Sequence, residues 1–213
     1  MPYSAKITPD ERFVWIVIAL VCLAALVVLS LLVRNGYLSH VDQAVLGGFH
    51  RAKTPALDHF FSAVTWLGSL WVLLPLYLVL VITLSSRHPG LERILGVGFF
   101  GAVITTYVIK FLMERKRPHF YPTINELPLD PAFPSAHTTQ IIAFCLLLWI
   151  VFYNGPSLFG LVLSALLAAV SVSVVLSRMY LQVHYPTDVT AGALIALMWS
   201  SIAVLAARTG GSG

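Results

Sequence analysis

The sequence predicts an all-α polytopic membrane protein with six transmembrane helices, an interfacial helix and a functional site at helix ends on one face. Composition carries the first part of that prediction. Of the 213 residues, 58% are hydrophobic and 10% are charged, whereas ordinary soluble domains are about 25% charged. The mean hydropathy is +0.87, and apolar runs of about 20 residues, the length that crosses a hydrocarbon core, recur along the chain. These observations exclude a soluble globular protein.

Apolar runs rich in Leu, Val, Ile, Ala and Phe define the predicted spans. They cover residues 13–33, 63–84, 94–113, 135–152, 158–177 and 189–208. The first run is too long for the core of a signal peptide, and no small-residue cleavage site follows it, so we predict a retained membrane helix. The fourth run opens with polar residues, and a re-entrant segment is the alternative for it. Six crossings would put both termini on one side of the membrane.

The connections on the face opposite the termini are longer and chemically denser than those on the other face. They cover residues 34–62, 114–134 and 178–188, against 85–93 and 153–157. In the first, apolar residues such as Val41, Val45, Leu46 and Phe49 alternate with polar ones, which predicts an amphipathic helix at the membrane interface. The second holds five prolines and is predicted to be an ordered loop. Function is therefore predicted to lie on this face.

Residues 1–209 are predicted to form a single domain, because no internal repeat or low-complexity tract interrupts them. The terminal Gly210–Gly213 is interpreted as a linker or tag remnant. A net charge of +4 and a pI near 9.2 do not indicate nucleic-acid binding, because almost no soluble segment remains to carry a basic face. Cys22 and Cys145 both lie in apolar runs, so neither a disulfide framework nor a metal cluster is predicted.

Lysine and arginine counts in the loops predict no membrane orientation. The face of the long connections carries eight of these residues and the opposite face five, but the counts become equal once the three cations of the candidate site described below are left out. The sequence also carries no prediction of oligomeric state.

Ionisable residues at the ends of three predicted spans form the candidate site, because charged groups at membrane depth are costly and mark function. Lys110 and Arg117 close the third span seven positions apart, which is two turns or about 10.5 Å on a continuing helix, so both could hold one anion. Pro118 predicts that the helix ends near Arg117 and that the Arg117 guanidinium faces the loop. Each cation alone also fits a basic side chain that snorkels to the membrane interface.

The fourth span opens with Pro134, Ser135, Ala136 and His137. We predict that Ser135 caps this helix and leaves the following N–H groups free to bind an anion, as helix N-termini do. A phosphate bound there would lie beside His137, which suits proton transfer. The alternative is a plain cap next to an interfacial histidine.

The last junction contains Arg178, His184, Pro186 and Asp188. Pro186 is predicted to be the first residue of the sixth helix, which puts Asp188 in its first turn. From there the carboxylate could fix the tautomer of His184 and raise the basicity of its other nitrogen, as in an activated nucleophile. Alternatively, Asp188 serves the dipole at that helix N-terminus, and Arg178 the C-terminal dipole of the preceding helix.

Three ordered motifs carry a resemblance to a known family. Lys-x6-Arg-Pro from Lys110, Pro-Ser-x-His from Pro134 and Ser-Arg-x5-His-x3-Asp from Ser177 resemble the three-part signature of the type-2 phosphatidic acid phosphatases. The set covers residues 110–188, and the six-span layout is similar to that of the family's bacterial membrane members. The family usually has glycine where this chain has Ala136. Alanine keeps the backbone N–H but loses freedom at positive φ, which we interpret as harmless if Ala136 is the first helical residue.

The resemblance implies a metal-independent and cofactor-free phosphatase. His184, oriented by Asp188, would attack phosphorus, while His137 would protonate the leaving oxygen and then activate water. The residues that would bind the phosphoryl oxygens are Lys110, Arg117, Ser135, Ala136 and Arg178. Candidate substrates are undecaprenyl diphosphate, phosphatidylglycerol phosphate and phosphatidic acid, with the polyprenyl lipid ranked first. The expected location is a bacterial inner membrane, with the site on the extracytoplasmic side.

Four alternatives stay open at this point. A phosphotransferase that moves the phosphoryl group to an acceptor other than water would share every motif residue. A small anion or lipid transporter would be expected to show repeats and broken spans at the membrane midplane. Vanadium-dependent haloperoxidases share the motifs but are soluble, which the hydropathy disfavours. A catalytically silent member could result from Ala136.

Overall fold

The computed structural model of the chain is all-helical over the residues that it describes, 8–88, 90–124, 127–153 and 155–208. The helices are α1 Pro9–Arg34, α2 Ser39–Arg51, α3 Pro55–Val64, α4 Leu70–Leu84, α5 Leu91–Leu95, α6 Gly101–Met113, α7 Ala136–Phe152, α8 Leu158–Tyr180 and α9 Pro186–Arg208. A 3₁₀ turn at Thr65–Gly68 follows α3, and a π-helical turn at Gly96–Phe100 joins α5 to α6. The interpretation of residues 210–213 as a linker lies outside the described residues.

The protein is a membrane protein, and several of its helices are long and apolar enough to cross a bilayer. Four qualify alone: Pro9–Arg34, Leu91–Met113, Leu158–Tyr180 and Pro186–Ala207. Pro55–Gly68 and Leu70–Leu84 qualify together but are bent by 46°. The apolar helix α7 has 17 residues, a length of about 25 Å against a hydrocarbon core of about 30 Å. The number of spans is thus four or five by length and composition, and the six-span layout stays a prediction.

Helix α7 lies at the centre of the bundle and packs against α8 and α9, while α9 also packs along α1. The core around α7 is made of large apolar side chains such as Phe144 and Leu147, which pack with Phe99 and Leu95 of the preceding segment. Helix α1 buries little more than Cys22 and Leu26. Many of its other apolar side chains, among them Leu20 and Val28, are exposed, as expected of a helix with one side facing lipid tails.

The second predicted span, residues 63–84, is interrupted by a bend and is not one continuous helix. After the 3₁₀ turn the backbone is extended at Ser69, with φ −84° and ψ 148°. A side chain at Gly68 would lie 2.6 Å from a methyl of Val174 and 3.1 Å from the carbonyl oxygen of His137. The close approach of this turn to α7 and α8 accounts for the break, which hydropathy cannot detect.

The first long connection does form a helix, α2, which has the predicted amphipathic pattern only in part. Leu46 is fully buried, whereas Val41 is 55% exposed. The buried side of α2 also contains a carboxylate, Asp42, and this side packs against α8 and α9. The second long connection has no helix in its described residues, in agreement with the prediction.

Candidate active site

Helix ends on one side of the bundle surround a cavity of about 470 Å³. Residues from all three sequence motifs line it, and so does Asp130, a charged residue that the motifs do not include. The charged and site residues of the lining are Arg117, Asp130, Ala136, His137, Arg178 and His184. These side chains come from α7, α8 and two loops, 114–135 and 181–185. The fold therefore brings together groups that are up to 67 positions apart in the sequence.

His184 lies in the short loop between α8 and α9 and is almost completely buried. Its Nδ1 is 3.4 Å from Oδ2 of Asp188, and its Nε2 is 3.2 Å from Nη1 of Arg117. Because a guanidinium can only donate, Nε2 is the acceptor in this contact and the ring proton belongs on Nδ1, facing Asp188. Asp188 Oδ2 also accepts the backbone N–H of Tyr185 at 2.9 Å, which fixes the carboxylate against the loop.

The environment of His184 favours the neutral ring. Burial is the main cause that lowers its pKa well below the ordinary value, and the positive charges of Arg117, Arg178 and Lys110 lower it further. A neutral imidazole with its proton on Nδ1 has a lone pair on Nε2. His184 therefore presents an unprotonated nitrogen to the cavity, which is the form that a nucleophile needs.

The start of α7 supplies His137 and the predicted N-terminal anion site. Ser135 occupies the N-cap position and is fully buried, but its side chain makes no capping bond. Its hydroxyl instead accepts from the Thr138 hydroxyl at 3.0 Å, so the predicted side-chain cap is wrong. In the described part of the chain, no acceptor is bonded to the N–H groups of Ala136, His137 and Thr138. Ala136 is the first residue of α7 and does not have a positive φ.

Lys110 and Arg117 converge on one carboxylate, that of Asp130. The Lys110 Nζ is 2.9 Å from Asp130 Oδ2, and Arg117 Nη2 is 2.6 Å from Oδ1. Helix α6 ends at Met113, and Glu114 has a left-handed backbone with φ 45°. Helix α6 therefore ends four residues before Arg117, slightly earlier than predicted, and the Arg117 guanidinium approaches from the loop, as predicted.

Asp130 stays ionised in this setting. Burial works against its charge, but hydrogen bonds and charges from Lys110 and Arg117 outweigh burial and hold its pKa below the ordinary value. The carboxylate thus occupies the two cations that the sequence analysis assigned to phosphate. Nothing in the motifs indicated this residue.

Arg178 lies in the last turn of α8 and lines the same cavity, so it does more than serve the helix dipole. It is buried, its Nη1 donates to the Thr65 hydroxyl at 2.5 Å, and its Nε has no hydrogen-bond partner among the described residues. Thr65 belongs to the turn that breaks the second predicted span. That break therefore supplies the hydroxyl that orients the guanidinium.

Asp42, Arg115 and Thr187 form a second polar cluster next to Asp188, and none of the three was predicted from the sequence. Arg115 donates from Nη1 to Asp188 at 2.5 Å and from Nη2 to Asp42 at 2.6 Å. The only signals in the sequence were an aspartate at the fourth position of α2 and an arginine inside the first motif. Within the described residues, no group of three or more His, Cys, Asp or Glu side chains could hold a metal ion. The metal-free reaction stays a prediction.

Comparisons with known proteins identify relatives of this chain. The model of the PAP2 superfamily matches residues 92–210, more than half of the chain. Phosphatidylglycerophosphatase B of Bacillus subtilis is 26% identical over 178 residues, covering 80% of this chain and 85% of that protein. Decaprenylphosphoryl-5-phosphoribose phosphatase of Mycobacterium tuberculosis is 35% identical over 121 residues, covering 54% and 63% of the two chains.

Solved structures share the fold. A crystal structure of a transmembrane PAP2 type phosphatidylglycerolphosphate phosphatase from Bacillus subtilis superposes with a TM-score of 0.76 at 23% identity. The superposition covers 87% of this chain and 93% of that chain.

Proposed function

Because this chain belongs to the PAP2 superfamily and is a membrane lipid phosphatase, we propose that it cleaves a polyprenyl diphosphate or a related lipid phosphate through a phosphohistidine on His184. One observation carries the proposal. The Nε2 atom of His184 faces a cavity lined by His137, Arg117 and Arg178, and its Nδ1 faces Asp188. A nucleophile, a proton donor and cations for the phosphoryl oxygens therefore share one space.

In the first step, Nε2 of His184 attacks phosphorus in line with the leaving oxygen. The N–P bond forms as the P–O bond to the lipid breaks, and the electron pair of that bond stays on the leaving oxygen. A protonated His137 gives its proton to this oxygen. Asp188 stabilises the positive charge that develops on the imidazole, as the carboxylate of a catalytic triad does.

In the second step, water displaces the His184 nitrogen from phosphorus. His137, now neutral, removes a proton from the water as it attacks phosphorus, and the N–P bond breaks with its electrons returning to His184. Inorganic phosphate leaves and both histidines regain their starting states. Lys110, Arg117 and Arg178, with Ser135 and the free N–H of Ala136, stabilise the charge on the phosphoryl oxygens in both steps.

The cavity wall supports an amphiphilic substrate. Leu70, Trp71 and Leu74 of α4 line the cavity beside the charged groups, and Trp71 is 84% exposed. A phosphate bound to the cations would leave its tail along this apolar wall. The two relatives named above are named for a glycerophospholipid phosphate and for a decaprenyl-linked ribose phosphate, and we rank a polyprenyl lipid first.

We place the protein in a bacterial cytoplasmic membrane, with one phosphatase domain over residues 1–209 and the site on the extracytoplasmic side. In this layout the bent pair α3–α4 forms one span and α7 another, which gives six spans with both termini on the cytoplasmic side. Helix α2 lies along the membrane interface at the level of the site.

The experiment is phosphate release by purified protein in detergent, with EDTA present, from a panel of lipid phosphates and diphosphates. We expect release that survives chelation and is lost by about a thousandfold or more in His184→Ala, because the nucleophile is removed. His59→Ala, which alters an exposed histidine of α3, is the matched control and should retain activity. Equal release by the wild type and His184→Ala would reject the mechanism. Release only after another phosphoryl acceptor is added would identify a phosphotransferase.

A further inference from the structure

Asp42 is a fully buried carboxylate in α2, 146 positions before Asp188 in the chain, and no motif includes it. A buried carboxylate is costly unless it is paired and hydrogen-bonded. Asp42 meets that condition through Thr187 and Arg115. Its Oδ1 accepts from the Thr187 backbone N–H at 3.1 Å. Its Oδ2 accepts from the Thr187 hydroxyl at 2.8 Å and from Arg115 at 2.6 Å. The buried carboxylate of Asp42 thus holds Arg115 and the start of α9 in place.

Arg115 lies between two carboxylates. One guanidinium nitrogen donates to Asp188 and to the Thr187 hydroxyl, and the other donates to Asp42. The guanidinium carbon is 3.9 Å from the ring centroid of Tyr185, which adds a cation–π contact. Burial disfavours the charge of Arg115, but Asp188 and Asp42 raise its pKa above the ordinary value. Arg115 is therefore a permanent cation in direct contact with the carboxylate that faces His184.

The charge balance of this cluster explains why a second carboxylate is needed. If Arg115 faced Asp188 alone, the two would form a neutral pair, and His184 would lose most of the negative charge that stabilises its imidazolium character in the transition state. Asp42 neutralises Arg115, so that the three groups together keep one net negative charge next to His184. The two oxygens of Asp188 are also divided between Arg115 and the His184 side, which fixes the rotation of the carboxylate.

We propose that Asp42 is a positioning residue that acts through Arg115, holding Asp188 in place and preserving its negative charge for His184. This inference rests on the proposed function, because it assumes that His184 is the nucleophile. Neither Asp42 nor Arg115 is among the residues that line the cavity, so neither is assigned a contact with substrate. The charged and titratable groups that face His184 are Asp188, Arg117, Arg178, Lys110 and His137, and the test below alters none of them.

The test compares the pH dependence of kcat/KM for phosphate release in the wild type, Asp42→Asn and the double variant Asp42→Asn/Arg115→Gln. The acid limb of this profile is the fall in kcat/KM at low pH. It reports the proton that binds to the His184–Asp188 pair and blocks Nε2 of His184. Asp42→Asn removes a negative charge near the His184–Asp188 pair, which makes protonation of the pair less favourable, so we expect the acid limb to move to lower pH. We also expect kcat to fall by about tenfold, typical of residues in one hydrogen-bond network, with KM nearly unchanged. In the double variant the net charge returns, and the limb should move back up. Ionisation of the substrate is common to all variants and cancels.

The reversal separates positioning from a merely structural role, because a structural defect should be at least as large in the double variant as in the single one. Asp58→Asn is the matched control: it removes a carboxylate that accepts from Tyr180 at 2.6 Å, away from Arg115, and should leave the profile unchanged. An acid limb that stays at its wild-type position in Asp42→Asn, or that lies no higher in the double variant than in the single one, would overturn the proposal.

Three further outcomes are distinguishable. If Asp42→Asn does not fold, the double variant is compared directly with the wild type: an acid limb at or above the wild-type position supports the proposal, and a lower limb overturns it. If His184→Ala is as active as the wild type, the proposed function fails, and the inference fails with it. If His184→Ala is inactive and the Asp42 variants behave as the wild type, only the inference fails.

Discussion

At the residue scale, Asp130 determines how much positive charge the cavity offers to a phosphate. Lys110 and Arg117 both pair with its carboxylate, and the low pKa of Asp130 keeps the carboxylate charged at neutral pH. A phosphate that binds these cations must displace the carboxylate or bind beside it. Asp130 therefore weakens the binding of small anions, including the product.

We predict that Asp130→Asn strengthens inhibition by inorganic phosphate. Removal of one negative charge from a half-exposed ion pair is worth on the order of 1 kcal/mol, which corresponds to a decrease of about fivefold in the inhibition constant. Asp58→Asn is the control and should leave the constant unchanged. If phosphate inhibited the Asp130→Asn variant more weakly than the wild type, Asp130 would instead be needed to hold the two cations in place.

Residues that the motifs contain were predicted from the sequence, and their partners were not. The order and spacing of Lys110, His137, Arg178 and His184 indicated one site. In the structure His137, Arg178 and His184 line one cavity, and Lys110 pairs with Asp130 of its wall. Asp42 and Asp130 were missed because their pairing depends on where two loops fold back. Nothing local to a buried aspartate distinguishes it from an exposed one at the same spacing.

At the element scale, the site depends on the close approach of α7 and α9. The Ser135 backbone N–H donates to the Asp188 carbonyl at 3.0 Å, which joins the first residues of the two helices. Gly192 permits this approach, since a Cβ there would lie 2.8 Å from the Ser135 carbonyl oxygen. Backbone atoms at that distance cannot rotate away as a flexible side chain would.

We predict that Gly192→Ala lowers both stability and activity. The added methyl forces α7 and α9 apart, at a cost of about 1–3 kcal/mol for overpacking, and moves His137 relative to His184. Thermal unfolding in detergent and kcat measure the two effects. Gly48→Ala is the matched control, because a Cβ at this helical glycine meets nothing within 4 Å and alanine favours the helix by up to about 1 kcal/mol. An unchanged Tm and kcat in Gly192→Ala would contradict the role of the close approach.

Helix boundaries were predicted well where the apolar run had clear limits. Pro186 does begin α9, and the loop that starts after Met113 is not helical. The break at residues 65–69 was not predicted, because it comes from packing of Gly68 and from the bond between Thr65 and Arg178, neither of which changes hydropathy. The prediction that Ser135 caps α7 gave the correct position but the wrong hydrogen bond.

At the scale of the whole molecule, the proposed six-span topology puts the loop of the site and the short connections on opposite sides of the membrane. Leu129 is fully exposed in that loop, and Ser86 and Pro156 are exposed in the connections after α4 and α7. The native cysteines, Cys22 and Cys145, are both buried, so introduced cysteines can be labelled selectively.

We predict that Leu129→Cys reacts with a membrane-impermeant maleimide in intact bacterial cells, whereas Ser86→Cys and Pro156→Cys react only after the membrane is permeabilised. The comparison of positions 129 and 156 tests whether α7, with its 17 residues, crosses the bilayer. Labelling of both positions from the same side would show that α7 is re-entrant and would contradict six spans.

In the proposed reaction, His184 carries the phosphoryl group between the two steps. The most direct measurement is to rapidly quench the enzyme with a substrate labelled in the cleaved phosphate and to locate the label by peptide mapping. We predict a label on His184 that is labile to acid and stable to alkali, as expected of phosphorus bonded to an imidazole nitrogen, in the wild type and in His59→Ala but not in His184→Ala. A catalytically active enzyme with the label on another residue, or with no covalent label at any time during turnover, would contradict the claim.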